Sequence, residues 1–145
     1  LLYRFKSQDI NGKKVLKVNE KYYAADHGLR EAVIGANLQN VEIILENIVG
    51  LELLRRGYKV CVGRVGTKEI DFVGEKQGDK LYIQVCCLLS DEATIQREFG
   101  PLLEVRDNYP KIVLYQEGSF RGNYEGIPAM RIEDWLMEEV SKHGQ

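Results

Sequence analysis

Three short stretches carry the residue types that phosphodiester hydrolysis uses: Glu46, then Glu69-Ile70-Asp71, then Gln84-Val85-Cys86. Carboxylates brought together beside a strand can hold Mg²⁺ or Mn²⁺, because hard divalent ions take oxygen ligands and keep several waters, one of which serves as nucleophile. Gln84 offers an amide oxygen to such an ion, a neutral and weaker ligand than a carboxylate. Cys86 lies on an apolar stretch between Val85 and Cys87, with no His nearby in sequence to activate it as a nucleophile. Packing in the core accounts for it.

Positioning these side chains takes a helix and a meander. Over residues 38–56 the apolar positions Val41, Ile44, Leu45, Ile48, Leu51 and Leu54 recur at three and four residues. Arg55-Arg56-Gly57 then supplies cationic last-turn residues and a terminal glycine. Residues 58–62, 69–73 and 81–86 read as three strands, with Gln77-Gly78-Asp79 turning the chain between the last two. Alternation along the second strand puts Glu69 and Asp71 on one face. Gln84 lies across the turn from Asp71, and Glu46 sits in the helix that packs on this sheet. The expectation is one pocket holding Glu46, Asp71 and Gln84.

Around that unit, residues 2–6 and 15–23 alternate on either side of Asn11-Gly12, a strong hairpin signal. Asp26 offers an N-cap for a short helix through Ala32-Val33-Ile34. Ser90-Asp91-Glu92 starts a helix toward Val105, with an interruption expected at Gly100-Pro101. Residues 111–115 form a continuous apolar run, as in a strand buried on both faces. A Gly-rich loop over 118–126 leads to a short strand over 127–132 and a last helix over 133–140 carrying Trp135. The expected fold class is α/β: a central mixed sheet flanked by helices, with an N-terminal β-hairpin and helix appendage. Residues 1–37 form the appendage and 38–145 the main domain.

Composition narrows the classes. With 145 residues, 44% apolar and 29% charged, the chain suits one soluble domain. No segment has the length of a membrane span, and the first residues lack the apolar run of a secretory signal, so a cytoplasmic fragment of a longer polypeptide is expected. The formal charge of -2 gives no overall basic field, yet residues 1–45 hold seven Lys/Arg against five Asp/Glu. Three Cys without a Cys-x-x-Cys pair, and two distant His, give no zinc site.

Glu46, Arg56-Gly57-Tyr58-Lys59-Val60, Glu69-Ile70-Asp71-Phe72-Val73 and Tyr82-Ile83-Gln84-Val85 together resemble the PD-(D/E)XK nuclease superfamily. There a helix Glu, a strand Asp and a Glu-x-Lys strand hold Mg²⁺. More narrowly, Lys21-Tyr22-Tyr23, Asp26-His27-Gly28-Leu29-Arg30, Leu45-Glu46-Asn47, Arg97-Glu98-Phe99 and Asp107-Asn108-Tyr109-Pro110-Lys111 resemble an uncharacterised domain found C-terminal to prokaryotic AAA-type ATPases. The resemblance implies an N-terminal ATPase domain as partner, a winged-helix linker ending within residues 1–37, and a restriction-endonuclease-like core. No Gly-x-x-x-x-Gly-Lys-[Ser/Thr] occurs here, so ATP would bind only in that other domain. Lys13 and Lys14, at the tip of the implied wing, would touch a DNA backbone.

By the same resemblance Glu46, Asp71 and Gln84 stand at the metal-binding positions, with Cys86 in place of the lysine. A thiol supplies no positive charge to a transition state, a loss of about 10²-fold or more in rate. Lys68 or Lys80 would have to reach in from elsewhere. The expected function is therefore a degenerate nuclease-like module of an ATPase that acts in DNA binding. The alternatives are an active Mg-dependent DNA endonuclease, or a protein-interaction or regulatory domain.

Overall fold

The computed structural model describes residues 2–9, 14–24 and 38–143. Strands β1 (Leu2–Asp9) and β2 (Lys14–Ala24) pair antiparallel, with a register shift between Lys6 and Ser7. This is the hairpin expected on either side of Asn11-Gly12; the turn itself, and the short helix expected through Ala32-Val33-Ile34, lie outside the described residues. The hairpin joins the main sheet, because β1 pairs parallel with β3 from Ser7↔Val62 to Asp9↔Arg64.

Helix α1 (Leu38–Arg55) ends where Gly57 takes a left-handed φ of 89°. Tyr58 N then donates to Leu53 O and Gly57 N to Leu54 O, each at 3.0 Å, which satisfies carbonyls that the last turn leaves open. The tight corner sends the chain directly into the meander of β3 (Lys59–Val65), β4 (Lys68–Lys76) and β5 (Asp79–Leu88). Gln77 and Gly78, both at positive φ, make the turn between β4 and β5.

Helix α2 (Glu92–Leu103) is capped by the Asp91 carboxylate, which accepts from Thr94 N at 2.7 Å. It runs through Gly100-Pro101 without the expected interruption. Pro101 falls in the last turn, where its missing N–H forfeits a single bond, and its ring is buried beside Phe99 and Leu102. Strand β6 (Lys111–Glu117) follows, then the two-residue β7 (Asn123–Tyr124), β8 (Ile127–Arg131) and α3 (Ile132–His143).

The strands form a mixed sheet in the order β2-β1-β3-β4-β5-β6-β8-β7. Pairing is antiparallel along the meander and parallel from β5 to β6 and from β6 to β8. Helices cover both faces. On one, Leu45, Val49 and Leu53 of α1 and Ile132 and Trp135 of α3 pack on Val62, Phe72, Ile83, Val85 and Leu114. On the other, Phe99 and Leu102 of α2 pack on Val65, Ile70, Val73, Tyr82, Cys86 and Val113. Val49 and Leu53 are the buried stripe of α1, whereas Ile44, Ile48 and Leu51 are only half-buried. Because α1 is apolar on more than one side, its periodicity does not single out the face that meets the sheet.

Candidate functional site

The site begins at a defect in β4. Cys61 pairs with Val73 and Gly63 with Ile70, so the single residue Val62 faces two, Asp71 and Phe72. This is a β-bulge, which adds a residue, bends the strand and re-aims side chains. Its effect shows in the packing: Ile70 and Val73 both belong to the α2 face, while Phe72 between them belongs to the α1 face. Simple alternation therefore does not carry through Asp71, and the expected one-face placement of Glu69 and Asp71 is replaced by this bulge geometry.

Past the bulge the β4–β5 backbone ladder stops at Phe72↔Ile83. Side chains take over where it ends. Asp71 Oδ2 accepts from Val85 N at 2.8 Å, and Gln84 Oε1 accepts from Asp71 N at 2.8 Å. Gln84 Nε2 donates to Glu69 O at 3.3 Å. The Gln84 amide thus behaves as an inserted peptide group, accepting from one β4 residue and donating to another, and the side chain is only 4% exposed. A carboxylate at this position could not make the second bond.

Asp71 and Gln84 are neighbours, Gln84 through the Asp71 backbone N–H, while the Asp71 carboxylate turns to Val85 N; of the three expected residues only Gln84 lines the pocket. Glu46 lies on α1, half-buried and one helical turn beyond Glu42. Cys86 is fully buried under α2, and burial pushes its thiol far above the usual range, with Glu98, Glu42 and Asp71 adding to the effect and Arg97 opposing it. Lys68, one of the candidate replacement lysines, donates to Glu104 Oε1 at 2.5 Å; Lys80, the other, lies 3.5 Å from Glu75 Oε1. Lys13 lies outside the described residues, and Lys14 opens β2.

Two residues absent from the expected set complete the cleft. Glu98 is 7% exposed. Burial pushes its carboxyl up to about 7, the Asp71 charge adds to this, and its bond with Arg97 works the other way. Arg97 Nε donates to Glu98 Oε1 at 3.1 Å, and Arg97 Nη2 lies 3.7 Å from Glu42 Oε1. Partial burial pulls the guanidinium pKa down, but Glu98 and Glu42 outweigh it and hold the cation in place. Beside these groups opens a pocket of about 350 Å³, lined by Lys68, Glu69, Gln84, Gln96, Arg97, Glu98 and Pro101. The signal for Glu98 is in the sequence: with Ile95, Phe99 and Leu102 it occupies the apolar stripe of α2, a position where a carboxylate needs a reason.

These residues do not fit a divalent ion. Among the described residues, no three His, Cys, Asp or Glu side chains come together closely enough to hold a metal. The Gln84 amide is bonded at both ends to β4 backbone, and two cations, Lys68 and the largely exposed Arg97, already line the pocket.

Fold and site together define a mixed α/β protein with a helix-flanked sheet and a cleft, lined largely by charged and amide residues, where β4 parts from β5. No protein-family model matches the chain. A Haemophilus influenzae protein described as "Uncharacterized protein" is 41% identical over 138 residues. That alignment takes in 95% of this chain and 34% of the relative, so the chain spans about a third of the relative's length. Among solved structures, the chain is similar to one titled "Structure of a Type III CRISPR defence DNA nuclease activated by cyclic oligoadenylate", with a TM-score of 0.45 and 14% identity over 79% of this chain and 22% of that one. No helix among the described residues is long and apolar enough to cross a membrane.

Proposed function

We propose that this chain is a PD-(D/E)XK-like module whose catalytic centre is degenerate, and that it serves a longer ATPase-containing polypeptide by binding DNA without cutting it. The observation that carries the degenerate reading is the fate of the last motif. Gln84 is spent on bridging the backbone of β4, and Cys86 is sealed in the core. Neither presents charge to a scissile phosphate, and the two lysines considered as substitutes face carboxylates. Support for a larger polypeptide comes from the length of the Haemophilus influenzae relative. Support for DNA contact comes from the basic excess in residues 1–45, where Lys13 and Lys14 would meet phosphates.

Supercoiled and single-stranded DNA incubated with Mg²⁺ or Mn²⁺ tests the first half, comparing the chain with its Asp71→Ala form. Equal background in both is the expected result; Asp71-dependent cutting would establish an active endonuclease instead. Fluorescence anisotropy on a labelled duplex tests the second half. Binding that weakens with salt, and weakens further in Lys13→Ala/Lys14→Ala, is expected. No binding at low salt would leave a protein-interaction role.

A further inference from the structure

We propose that Tyr109, with Lys80 and Lys59 beside it, is a stacking platform for single-stranded nucleic acid, set at the far end of the β4–β5 ladder from the cleft. The inference rests on the DNA-binding reading above and deepens it by naming where a base and its phosphates would sit. The ladder runs from Phe72↔Ile83, beside the cleft, to Lys76↔Asp79 at the turn. Asp107-Asn108-Tyr109-Pro110-Lys111 lies toward that turn, because Lys111 pairs with Tyr82 of β5. The segment is firmly held. Buried Tyr82 donates its hydroxyl to Asp107 Oδ2, and Tyr82 N donates to Pro110 O at 3.0 Å. Tyr109 N donates to Asp107 Oδ1 at 3.0 Å, while Lys111 Nζ donates to Asp107 O at 2.8 Å and to Tyr109 O at 2.9 Å. The backbone is thus fixed on both sides of Tyr109, yet Tyr109 itself is left 38% exposed. A ring displayed on a fixed backbone loses little freedom when something binds it.

Positive charge accompanies the ring. Lys80 Nζ sits over it, 5.9 Å from the centroid. Cross-strand register sets Lys59 opposite Glu75 and Glu75 opposite Lys80, so two lysines flank one carboxylate in a row across β3, β4 and β5. Glu75 meets Lys80 at 3.5 Å with both side chains partly exposed, and a surface pair of this kind contributes little enough for a phosphate to displace it. Arg106, just before the segment, is exposed as well. An aromatic face beside cations matches what a single strand presents, an open base face and a neighbouring phosphate. A duplex offers only groove edges, its base faces being stacked on one another. The lysines also favour nucleic acid over a protein partner, since the cores of protein interfaces are depleted in lysine.

The test uses the whole chain and two fluorescent probes, an oligothymidine carrying one 2-aminopurine and a labelled duplex. Stacking on an aromatic ring quenches 2-aminopurine, a signal that a merely structural role for Tyr109 would not produce. Wild type and Tyr109→Phe are expected to bind the single strand and quench the probe. Tyr109→Ala is expected to bind it about tenfold or more weaker and without quenching. Its duplex affinity and thermal midpoint should stay as in wild type, because the bonds that hold the loop use the backbone of residue 109. Lys59→Gln/Lys80→Gln should flatten the slope of log affinity for the single strand against log salt by about 0.7 per lysine, a measurement that stands even where Tyr109→Ala does not fold. Equal single-strand binding by wild type and Tyr109→Ala, or an unchanged salt slope in the lysine variant, overturns the platform and leaves the DNA-binding reading standing. Binding of the duplex alone does the same. Binding of neither probe by wild type ends the DNA-binding reading, and this inference with it.

Discussion

Replacing Glu98 by Gln should change how the fold responds to pH more than it changes the fold. Glu98 is a buried carboxyl on the apolar stripe of α2, held by Arg97 Nε, and the charges of Asp71 and Glu42 act on it. Its folded-state pKa is about 7 against an ordinary 4.5. The native chain therefore keeps a proton that the unfolded chain has lost between those two values. Where the native state binds more protons, stability falls as pH rises, so the loss runs from pH 4.5 to pH 7 and is complete above it. The interval corresponds to about 3 kcal/mol.

Gln has the same shape, can still accept from Arg97, and carries no proton to lose. Urea unfolding of wild type and Glu98→Gln, measured at intervals from about pH 4.5 to about pH 8, isolates the effect because the other titrating groups are shared by both forms. Those with lowered values, Glu52, Asp91 and Asp107, act below their ordinary 4.5 and 3.8, under the window of interest. The variant should gain on wild type steadily up to neutrality, by about 3 kcal/mol in total, and then hold its lead. Two curves that stay parallel within about 0.5 kcal/mol would mean that Glu98 titrates like an exposed carboxyl, and the buried electrostatic cleft described above would be wrong.

Further outcomes follow from single contacts. Gln84→Leu leaves Asp71 N–H and Glu69 C=O without their side-chain partner and should cost about 2 to 4 kcal/mol in urea unfolding, with an unchanged slope. Cys86→Lys, which returns a lysine to the position after Gln84-Val85, buries an ammonium at a fully enclosed position; it should lose about 3 kcal/mol or more and gain no Mn²⁺-dependent cutting of plasmid DNA. Gly118→Ala would place a Cβ at 2.1 Å from Leu89 O, where the chain after β5 meets the chain after β6, and should lower the thermal midpoint by several degrees.

The elements were legible in the sequence wherever local chemistry decides them. Asn11-Gly12 marked the hairpin, Gly57 the end of α1, Gln77-Gly78 the β4–β5 turn, and the apolar run from Lys111 the central parallel strand. Pro101 misled because a proline breaks a helix in the interior but is tolerated within the final turn, and helix ends are not sharply written in side-chain types. The site was legible only as far as its strand residues. Asp71 and Gln84 meet as their positions around one turn require. The bulge at Asp71 depends on how β3 and β4 pair across Val62, a register no local pattern reports.

The most consequential residues were missed for a physical reason. Spacing picks out carboxylates that repeat along one element, whereas Glu42 and Glu98 come from two helices and are joined by Arg97, an exposed charge on α2. Glutamine at position 84 read as a weakened ligand when taken alone, since Gln and Glu differ by a single group. In the bulged ladder that group decides the role: the N–H of the amide is what lets Gln84 satisfy the carbonyl of Glu69. A glutamate there would add a further carboxylate beside Asp71 and Glu98 while losing that bond. Within this cleft Gln84 is therefore the residue that lets β4 and β5 separate while the Asp71 N–H and the Glu69 carbonyl keep a partner.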